Sequence, residues 1–238
     1  MRLVLALLAA TCLASAVFVG WPAIDLGMAR LFYDGTGFPV EADRLVETTR
    51  MALYAAEDAG FLATLVLTLR RRPFLHLAPR AWLFLMLVFL TGPGVLVNGL
   101  LKPVWNRARP FQTLDFGGKA QFTPAWSIGH DCCHFRSFVS GEMAGATALA
   151  VCLILILRAN RTNLGPIRYG AGLALTAAVP LFTAWQRIAA GRHFLSDVVL
   201  AMLLTLLAAA ALYRMTGRAA HSQALLTSQP IPPISRLP

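Results

Sequence analysis

The sequence contains few charged residues and very few acidic ones. Asp, Glu, Lys and Arg make up only 13% of the 238 residues, while hydrophobic residues make up 57%. Ordinary soluble domains carry about 25% charged residues, so this composition excludes that class and indicates an integral membrane protein. Cysteines are also scarce. The four present lack metal-ligand spacing, which argues against a cysteine-based zinc site: Cys12, Cys132, Cys133 and Cys152.

Basic residues outnumber acidic ones, 21 to 11, and give a formal net charge of +10. Such a charge is compatible with nucleic acid binding. However, the basic residues flank hydrophobic segments and do not form an interleaved face of a soluble domain. We therefore attribute them to membrane topology and expect no nucleic acid partner.

Six hydrophobic segments are long enough to cross a bilayer as helices, which takes about 17–25 residues. They cover residues 3–22, 52–69, 81–101, 138–157, 168–186 and 194–213. The sequence thus predicts an all-α, polytopic membrane protein with one six-helix bundle over residues 1–215. Residues 216–238 are rich in Pro, Ser and Gln and are predicted to form a disordered cytoplasmic tail. For the first segment, a cleaved signal peptide is the alternative, because Arg2 precedes it and small residues end it.

The charges of the loops orient this bundle. The loops 70–80 and 158–168, with the two termini, hold eleven of the 21 basic residues and none of the 11 acidic ones. Basic residues concentrated in short loops favour the cytoplasmic side. The segment 102–137 then lies on the outer side, so we expect a bacterial inner-membrane protein whose polar segment faces the periplasm.

A histidine and an aspartate lie at the start of the sixth predicted helix. His193 and Asp197 are four residues apart, which stacks their side chains on one face of a helix. A hydrogen bond between them would fix the imidazole tautomer and leave the other ring nitrogen free to act as a base or nucleophile. The alternative is topological, with Asp197 serving only the dipole of the helix N-terminus.

Three cations lie at other predicted helix ends. Lys102 ends the third helix, Arg109 follows seven residues later before Pro110, and Arg187 ends the fifth helix. Ammonium and guanidinium groups both suit the oxygens of a phosphate. Alternatively, Lys102 extends towards the interface and the arginines bind lipid headgroups without specificity.

The stretch Ser140-Gly141-Glu142 begins the fourth predicted helix. Helix N-termini offer unpaired backbone N–H groups to an anion, Ser140 adds a hydroxyl, and Gly141 allows a phosphate to approach the backbone. Glu142 is unusual at the mouth of a membrane helix. Its simplest explanation is a favourable charge in the first helical turn.

All of these stretches lie at the same predicted membrane face, so they can converge on one pocket. Three cations, a helix N-terminus and a histidine backed by a carboxylate are suited to phosphoryl transfer without a metal ion or other cofactor, because positioning and charge neutralisation provide most of that catalysis.

With these motifs the sequence resembles the type 2 phosphatidic acid phosphatase superfamily, whose pattern is K-x6-RP, PSGH and SR-x5-H-x3-D. The first motif is intact as Lys102, Arg109 and Pro110. The third has Arg187, His193 and Asp197, with Gln186 replacing the usual serine. The middle motif reads Val-Ser-Gly-Glu at 139–142. The resemblance covers about residues 80–215.

This resemblance implies an enzyme, a phosphoric monoester hydrolase that forms a phosphohistidine on His193 and then hydrolyses it with water. Asp197 would orient the imidazole. The implied phosphate ligands are Lys102, Arg109, Ser140, Gly141 and Arg187.

The family's middle-motif histidine protonates the leaving alkoxide, and Glu142 takes its place here as a possible general acid. Alternatives are His130, His134, a leaving group that needs little protonation, or loss of activity.

The region 116–142 resembles a bacterial subgroup that dephosphorylates lipid A and similar envelope lipids. We therefore expect a phosphorylated membrane lipid as the substrate, and lipid A is the most specific hypothesis. Undecaprenyl diphosphate and phosphatidylglycerophosphate are alternatives in the same class. A non-catalytic transporter or binding protein for anionic lipids, and a phosphotransferase, are alternatives of other classes. The sequence leaves open the phosphate position and the oligomeric state.

Overall fold

The protein is built from helices, in a computed structural model that describes residues 1–130 and 135–227. Over these described residues there is no β-strand. The α-helices are α1 (Arg2–Gly20), α2 (Ala23–Arg30), α3 (Arg44–Arg70), α4 (Pro79–Phe89), α5 (Lys102–Trp105), α6 (Gly141–Ala159), α7 (Arg161–Ala189) and α8 (Leu195–Thr227). Short 3₁₀ helices cover Pro39–Ala42, Pro110–Gln112 and Leu114–Phe116.

Six helical segments are long and apolar enough to cross a membrane. They are Arg2–Gly20, Arg44–Arg70, Pro79–Gln112, Gly141–Ala159, Arg161–Ala189 and Leu195–Thr216. The predicted all-α fold with six spans is therefore confirmed, and the protein is a multi-pass membrane protein.

Three helices are clearly longer than predicted. α7 begins at Arg161 and not at 168, and it ends at Ala189. α3 begins at Arg44 and not at 52, because the Asp43 carboxylate caps it by accepting hydrogen bonds from the backbone N–H groups of Leu45 and Val46 at 2.9 and 3.0 Å. α8 continues past the predicted end at 213 and runs to Thr227. Residues 228–238 lie outside the described part of the chain, and the disordered tail stays a prediction.

The third span is not the single continuous α-helix predicted over 81–101. α4 is followed by a π-helical section, Leu90–Leu101, and then by the short helix α5. Pro93 lies inside this section and has no N–H to donate, so a regular α-helical ladder cannot continue through it. The Asn98 side chain donates to the Pro93 carbonyl at 2.8 Å. The altered winding brings Asn98 and Lys102 close to Gly141 at the start of α6.

α6 is the central helix of the bundle and contacts α3, α4, α7, α8 and the π-helical section. Its inner turns consist of small residues, and Ala144, Ala146 and Ala148 are fully buried. In membranes, small residues allow helix backbones to approach closely. Because other helices surround α6, its N-terminus is held among their ends.

One end of the bundle is covered by α2 and the connecting segments. Phe38, Phe116 and Phe194 form an apolar cluster there, with the rings of Phe38 and Phe116 5.5 Å apart. Gly191 has φ 64° and lies against the Phe38 ring, where a side chain has no room. This packing fixes the loop between α7 and α8, which carries His193.

Candidate active site

The side chains selected from the sequence meet at this covered end. A cavity of about 210 Å³, here called the phosphate cavity, is lined by five of them: Lys102, Arg109, Glu142, Arg187 and His193. Four residues that sequence analysis did not select complete its lining: Glu41, Glu47, Arg50 and Arg192. The predicted convergence of helix ends is therefore present in the structure.

His193 lies two residues before α8, and only 3% of its surface is exposed. Its Nδ1 faces Asp197 Oδ2 at 3.5 Å, longer than a well-formed hydrogen bond, and Ser137 Oγ at the same distance. Nε2 lies on the opposite edge of the ring, and the ring lines the cavity. Burial lowers the pKa of His193 to about 4, although Asp197 opposes this, so the imidazole is neutral near pH 7.

Asp197 is fully buried and accepts hydrogen bonds on both oxygens. Arg107 Nη1 donates to Oδ1 at 2.6 Å. Ser137 Oγ and the Phe194 N–H donate to Oδ2 at 2.6 and 3.0 Å. These contacts fix the carboxylate that faces Nδ1 of His193, so they also limit how that ring can turn.

Arg107 joins this carboxylate to a second one on α2. Its Nη2 donates to Asp25 Oδ2 at 2.8 Å, and all three charged side chains are 0% exposed. Asp25 also accepts from the backbone N–H and the hydroxyl of Ser196, at 2.8 and 2.5 Å. Burial raises the pKa of Asp25, and the Arg107 charge opposes that rise. We call Asp25, Arg107, Ser137, Ser196 and Asp197 the buried network.

Sequence analysis missed most of this network. Arg107 stands two residues before Arg109, and a second arginine so near the first motif is the one signal that could have selected it. Asp25 lies in the distant segment before α3, and no spacing links it to Asp197. Only the tertiary structure brings the two carboxylates to one guanidinium.

Ser140 and Gly141 lie at the edge of the site. Ser140 is fully buried and caps α6, its hydroxyl accepting from the Met143 N–H at 3.3 Å. Gly141 permits a close approach, because a Cβ there would lie 2.7 Å from Lys102 Nζ. Neither residue lines the phosphate cavity. Their predicted contacts with phosphate stay predictions.

Glu142 is bound by two arginines. Arg50 Nε and Nη2 donate to its two carboxylate oxygens at 3.0 and 2.9 Å, in the bidentate arrangement typical of arginine and carboxylate. Arg187 Nη1 donates to Oε1 at 2.7 Å. Arg50 Nη1 also donates to Glu47 at 2.6 Å. We call Glu47, Arg50, Glu142 and Arg187 the cavity network.

The remaining cations of the cavity differ in their partners. Arg192 pairs with Glu41 through Nη2 and Nε. In the described part of the chain, neither Lys102 nor Arg109 has a carboxylate within ion-pair distance. These two cations are therefore available to an anionic ligand without displacing a protein carboxylate.

A second cavity of about 590 Å³, here called the large cavity, lies beside the first between α3, the π-helical section and α6. Arg50, Lys102 and Glu142 line both cavities and form the wall between them. Apolar side chains line much of the rest: Met51, Tyr54, Phe61, Phe89, Leu90 and Pro93. His193 lines only the phosphate cavity.

The two alternative acids proposed from the sequence lie elsewhere. His130 is exposed and does not line either cavity. His134 lies outside the described residues.

A multi-pass bundle with a neutral histidine among cations, beside a half-apolar cavity, has the arrangement of an integral membrane phosphatase. The sequence model of the PAP2 superfamily matches residues 81–220, more than half of the chain. The chain belongs to the PAP2 superfamily.

Three relatives carry the name lipid A 4'-phosphatase. The protein from Rhizobium leguminosarum is 34% identical over 226 residues, covering 87% of this chain and 94% of its own length. The Rhizobium etli protein is 31% identical over 229 residues, covering 87% and 85%. The protein from Francisella tularensis subsp. novicida is 31% identical over 123 residues, about half of each chain (50% and 51%). No solved structure matches the chain.

Family and relatives together show that the protein is a lipid phosphatase and a phosphoric monoester hydrolase. A phosphorylated membrane lipid is accordingly its class of substrate.

Proposed function

We propose that the protein removes the 4'-phosphate of lipid A, or of a closely similar glycolipid, through a phosphohistidine intermediate on His193. The observation that carries this proposal is the neutral, buried histidine in a cavity of five cations. The names of relatives that align over most of this chain support the choice of substrate.

His193 is the proposed nucleophile. Its Nδ1 faces Asp197, and this contact would keep the proton on Nδ1 and the lone pair on Nε2, towards the cavity. As Nε2 bonds to phosphorus, positive charge develops on the ring. The buried carboxylate of Asp197 stabilises that charge, and water then releases phosphate from His193.

Lys102, Arg109 and Arg187 are the proposed phosphate ligands, with Ser140 and the Gly141 N–H as further candidates. Within the described residues, neither Lys102 nor Arg109 has a carboxylate within ion-pair distance, so both can bind a phosphate oxygen. Arg187 already holds Glu142 and would share its remaining N–H groups with the substrate.

The charge of the cavity supports a phosphomonoester over a diphosphate. Five cations and three carboxylates line it, giving a net charge of +2 while His193 is neutral. A phosphomonoester dianion balances that charge, whereas a diphosphate ester carries about one charge more at neutral pH. The monoester of a glycolipid is therefore favoured over undecaprenyl diphosphate.

We further propose that the site faces the periplasm from the bacterial inner membrane. The loops at the opposite end of the bundle carry Arg70, Arg71, Arg72, Arg158 and Arg161, as the positive-inside rule requires of a cytoplasmic face. Reporter proteins fused after residue 216 test this orientation. Activity of a periplasmic reporter at that position would contradict it.

The function is tested with purified protein in micelles containing a metal chelator and lipid A. We expect release of inorganic phosphate, loss of one phosphate from lipid A by mass spectrometry, and an acid-labile phosphoprotein on rapid quenching. His193→Ala is the matched control and should give none of these products. Unchanged lipid A with the wild-type protein would contradict the substrate, and a phosphoprotein in His193→Ala would contradict the nucleophile.

A further inference from the structure

The wall between the two cavities is where the scissile bond of a substrate must lie. The phosphate cavity, about 210 Å³ with five cations, suits the phosphoryl group, whereas the rest of a lipid needs the larger and more apolar space of about 590 Å³. The phosphorus–oxygen bond therefore crosses the wall formed by Arg50, Lys102 and Glu142. This step rests on the proposed function.

His193 is suited to attack the phosphorus atom from one side, and the wall is suited to contact the leaving oxygen on the other side. His193 lines only the phosphate cavity, while Arg50 lines both. Phosphoryl transfer needs the attacking and leaving atoms roughly in line. Attack by His193 thus directs the leaving oxygen towards the large cavity, past Arg50.

Glu142 cannot readily provide a proton to that oxygen. It accepts three hydrogen bonds from Arg50 and Arg187 at 2.7–3.0 Å, and such contacts are those of an ionised carboxylate. Its evident effect is to hold Arg50, which it binds through both Nε and Nη2. Glu47 fixes Nη1 of the same guanidinium.

Arg50 still has an N–H group that can donate a hydrogen bond to a substrate. A guanidinium has five N–H bonds, and the contacts to Glu47 and Glu142 use one on each nitrogen. In the described part of the chain, the second N–H of Nη2 has no partner. Arg50 is also partly accessible, with 23% of its side chain exposed.

We propose that Arg50 is a catalytic residue that stabilises the leaving alkoxide, and that Glu142 is the positioning residue that holds it there. Arg50 and Glu142 thus act together on the leaving alkoxide, which in the superfamily pattern is protonated by a histidine at position 142. An arginine does this by hydrogen bonding and charge, without giving up a proton.

The step balances with water as the co-reactant. Nε2 of neutral His193 forms a bond to phosphorus, the phosphorus–oxygen bond breaks, and its electron pair stays on the alkoxide beside Arg50. The alkoxide takes a proton from water, leaving hydroxide. Hydroxide then attacks the phosphohistidine, which returns neutral His193 and releases phosphate.

The test compares two long-chain substrates that differ in the leaving group, an alkyl phosphate and an alkylphenyl phosphate. A phenolate needs little stabilisation, whereas an alkoxide needs much. We expect Arg50→Met to lower kcat on the alkyl substrate on the order of 100-fold and on the aryl substrate less than about fivefold. Arg50→Lys, which keeps the charge, should recover part of the alkyl activity.

Arg192→Met is the matched control, because Arg192 lines the phosphate cavity but not the wall. It should lower turnover of both substrates by the same factor. Equal losses for Arg50→Met would overturn the role of Arg50 while leaving the phosphatase function intact. A wild-type protein inactive on every lipid phosphate would overturn the proposed function, and this role with it. The melting temperature of each variant identifies folding defects, and the ratio of the two substrates within one variant does not depend on the folded fraction.

Discussion

The buried network and the cavity network differ in how much water reaches them. In the buried network the side chains of Asp25, Arg107 and Asp197 are 0% exposed. In the cavity network Glu47 is 43%, Arg50 23% and Glu142 18% exposed, while Arg187, at 6%, is buried. A fully buried charge that loses its partner finds no water to replace it, whereas a partly hydrated one does. The first network therefore holds His193, the proposed nucleophile, in place, and the second can rearrange around a ligand.

The largest effect is expected at His193, which faces Asp197 on one side and the cavity on the other. His193→Ala should lower turnover by on the order of 10³-fold or more, because the proposed covalent intermediate forms on its Nε2. The melting temperature should fall less than in Arg107→Met, since no buried carboxylate loses its cation. Phosphate release measures turnover, and thermal unfolding measures the melting temperature. Turnover above a tenth of wild type would refute the nucleophilic role.

The next largest effect should distinguish the networks directly. Arg107→Met leaves Asp25 and Asp197 buried without their shared cation, at a cost of about 3–5 kcal/mol in the free energy of unfolding. Thermal or denaturant unfolding in micelles measures this loss. Arg107→Lys keeps the charge but loses the planar guanidinium that reaches both carboxylates. Its free energy of unfolding should lie between those of the wild type and of Arg107→Met. If Arg107→Met unfolds like the wild type, the buried network does not support the fold.

A smaller effect on stability is expected in the cavity network. Glu142→Gln should lower the free energy of unfolding by about 1–2 kcal/mol, less than Arg107→Met, because water can solvate Arg50 and the buried Arg187 keeps its hydrogen bond to Gln186. Turnover on an alkyl phosphate should nevertheless fall by roughly tenfold to 100-fold, since Arg50 loses its bidentate anchor. The same unfolding and phosphate assays apply. A stability loss as large as that of Arg107→Met would remove the distinction between the networks.

The smallest effect concerns pH. Burial lowers the pKa of His193 to about 4, so its imidazole is neutral above that pH and becomes protonated, losing its lone pair, only below it. Formation of the phosphohistidine at saturating substrate should change less than about twofold between pH 8 and pH 5. Rapid-quench measurements across this range check the prediction. A fall of about fourfold by pH 6 and about 30-fold by pH 5 would indicate a histidine with the ordinary pKa of about 6.5.

The sequence predicted the fold and the meeting of helix ends because both follow from local patterns. The length of the hydrophobic segments alone defines the six spans. The loops that join these spans place Lys102, Arg109, Arg187 and His193 at one end of the bundle. The π-helical section escaped prediction, because Pro93 in a hydrophobic run signals a disturbed helix without saying how the chain winds around it.

The partners of these residues could not be predicted. Arg50 is separated from Glu142 by 92 residues, and Asp25 from Ser196 by 171 residues. No periodicity links positions so far apart. From the sequence, Glu142 is a favourable charge in the first helical turn or a possible general acid, whereas in the structure it accepts hydrogen bonds from two arginines.

The buried network also limits how this protein can change through evolution. Replacing Arg107 alone leaves two buried carboxylates without a cation. Replacing either carboxylate alone leaves part of the guanidinium without a partner. Each single substitution therefore gives a protein that folds less well. We therefore expect the members of such a set to be kept together or exchanged together. Position 142, which water reaches, can vary one residue at a time, and it is one of the positions at which this chain departs from the superfamily pattern.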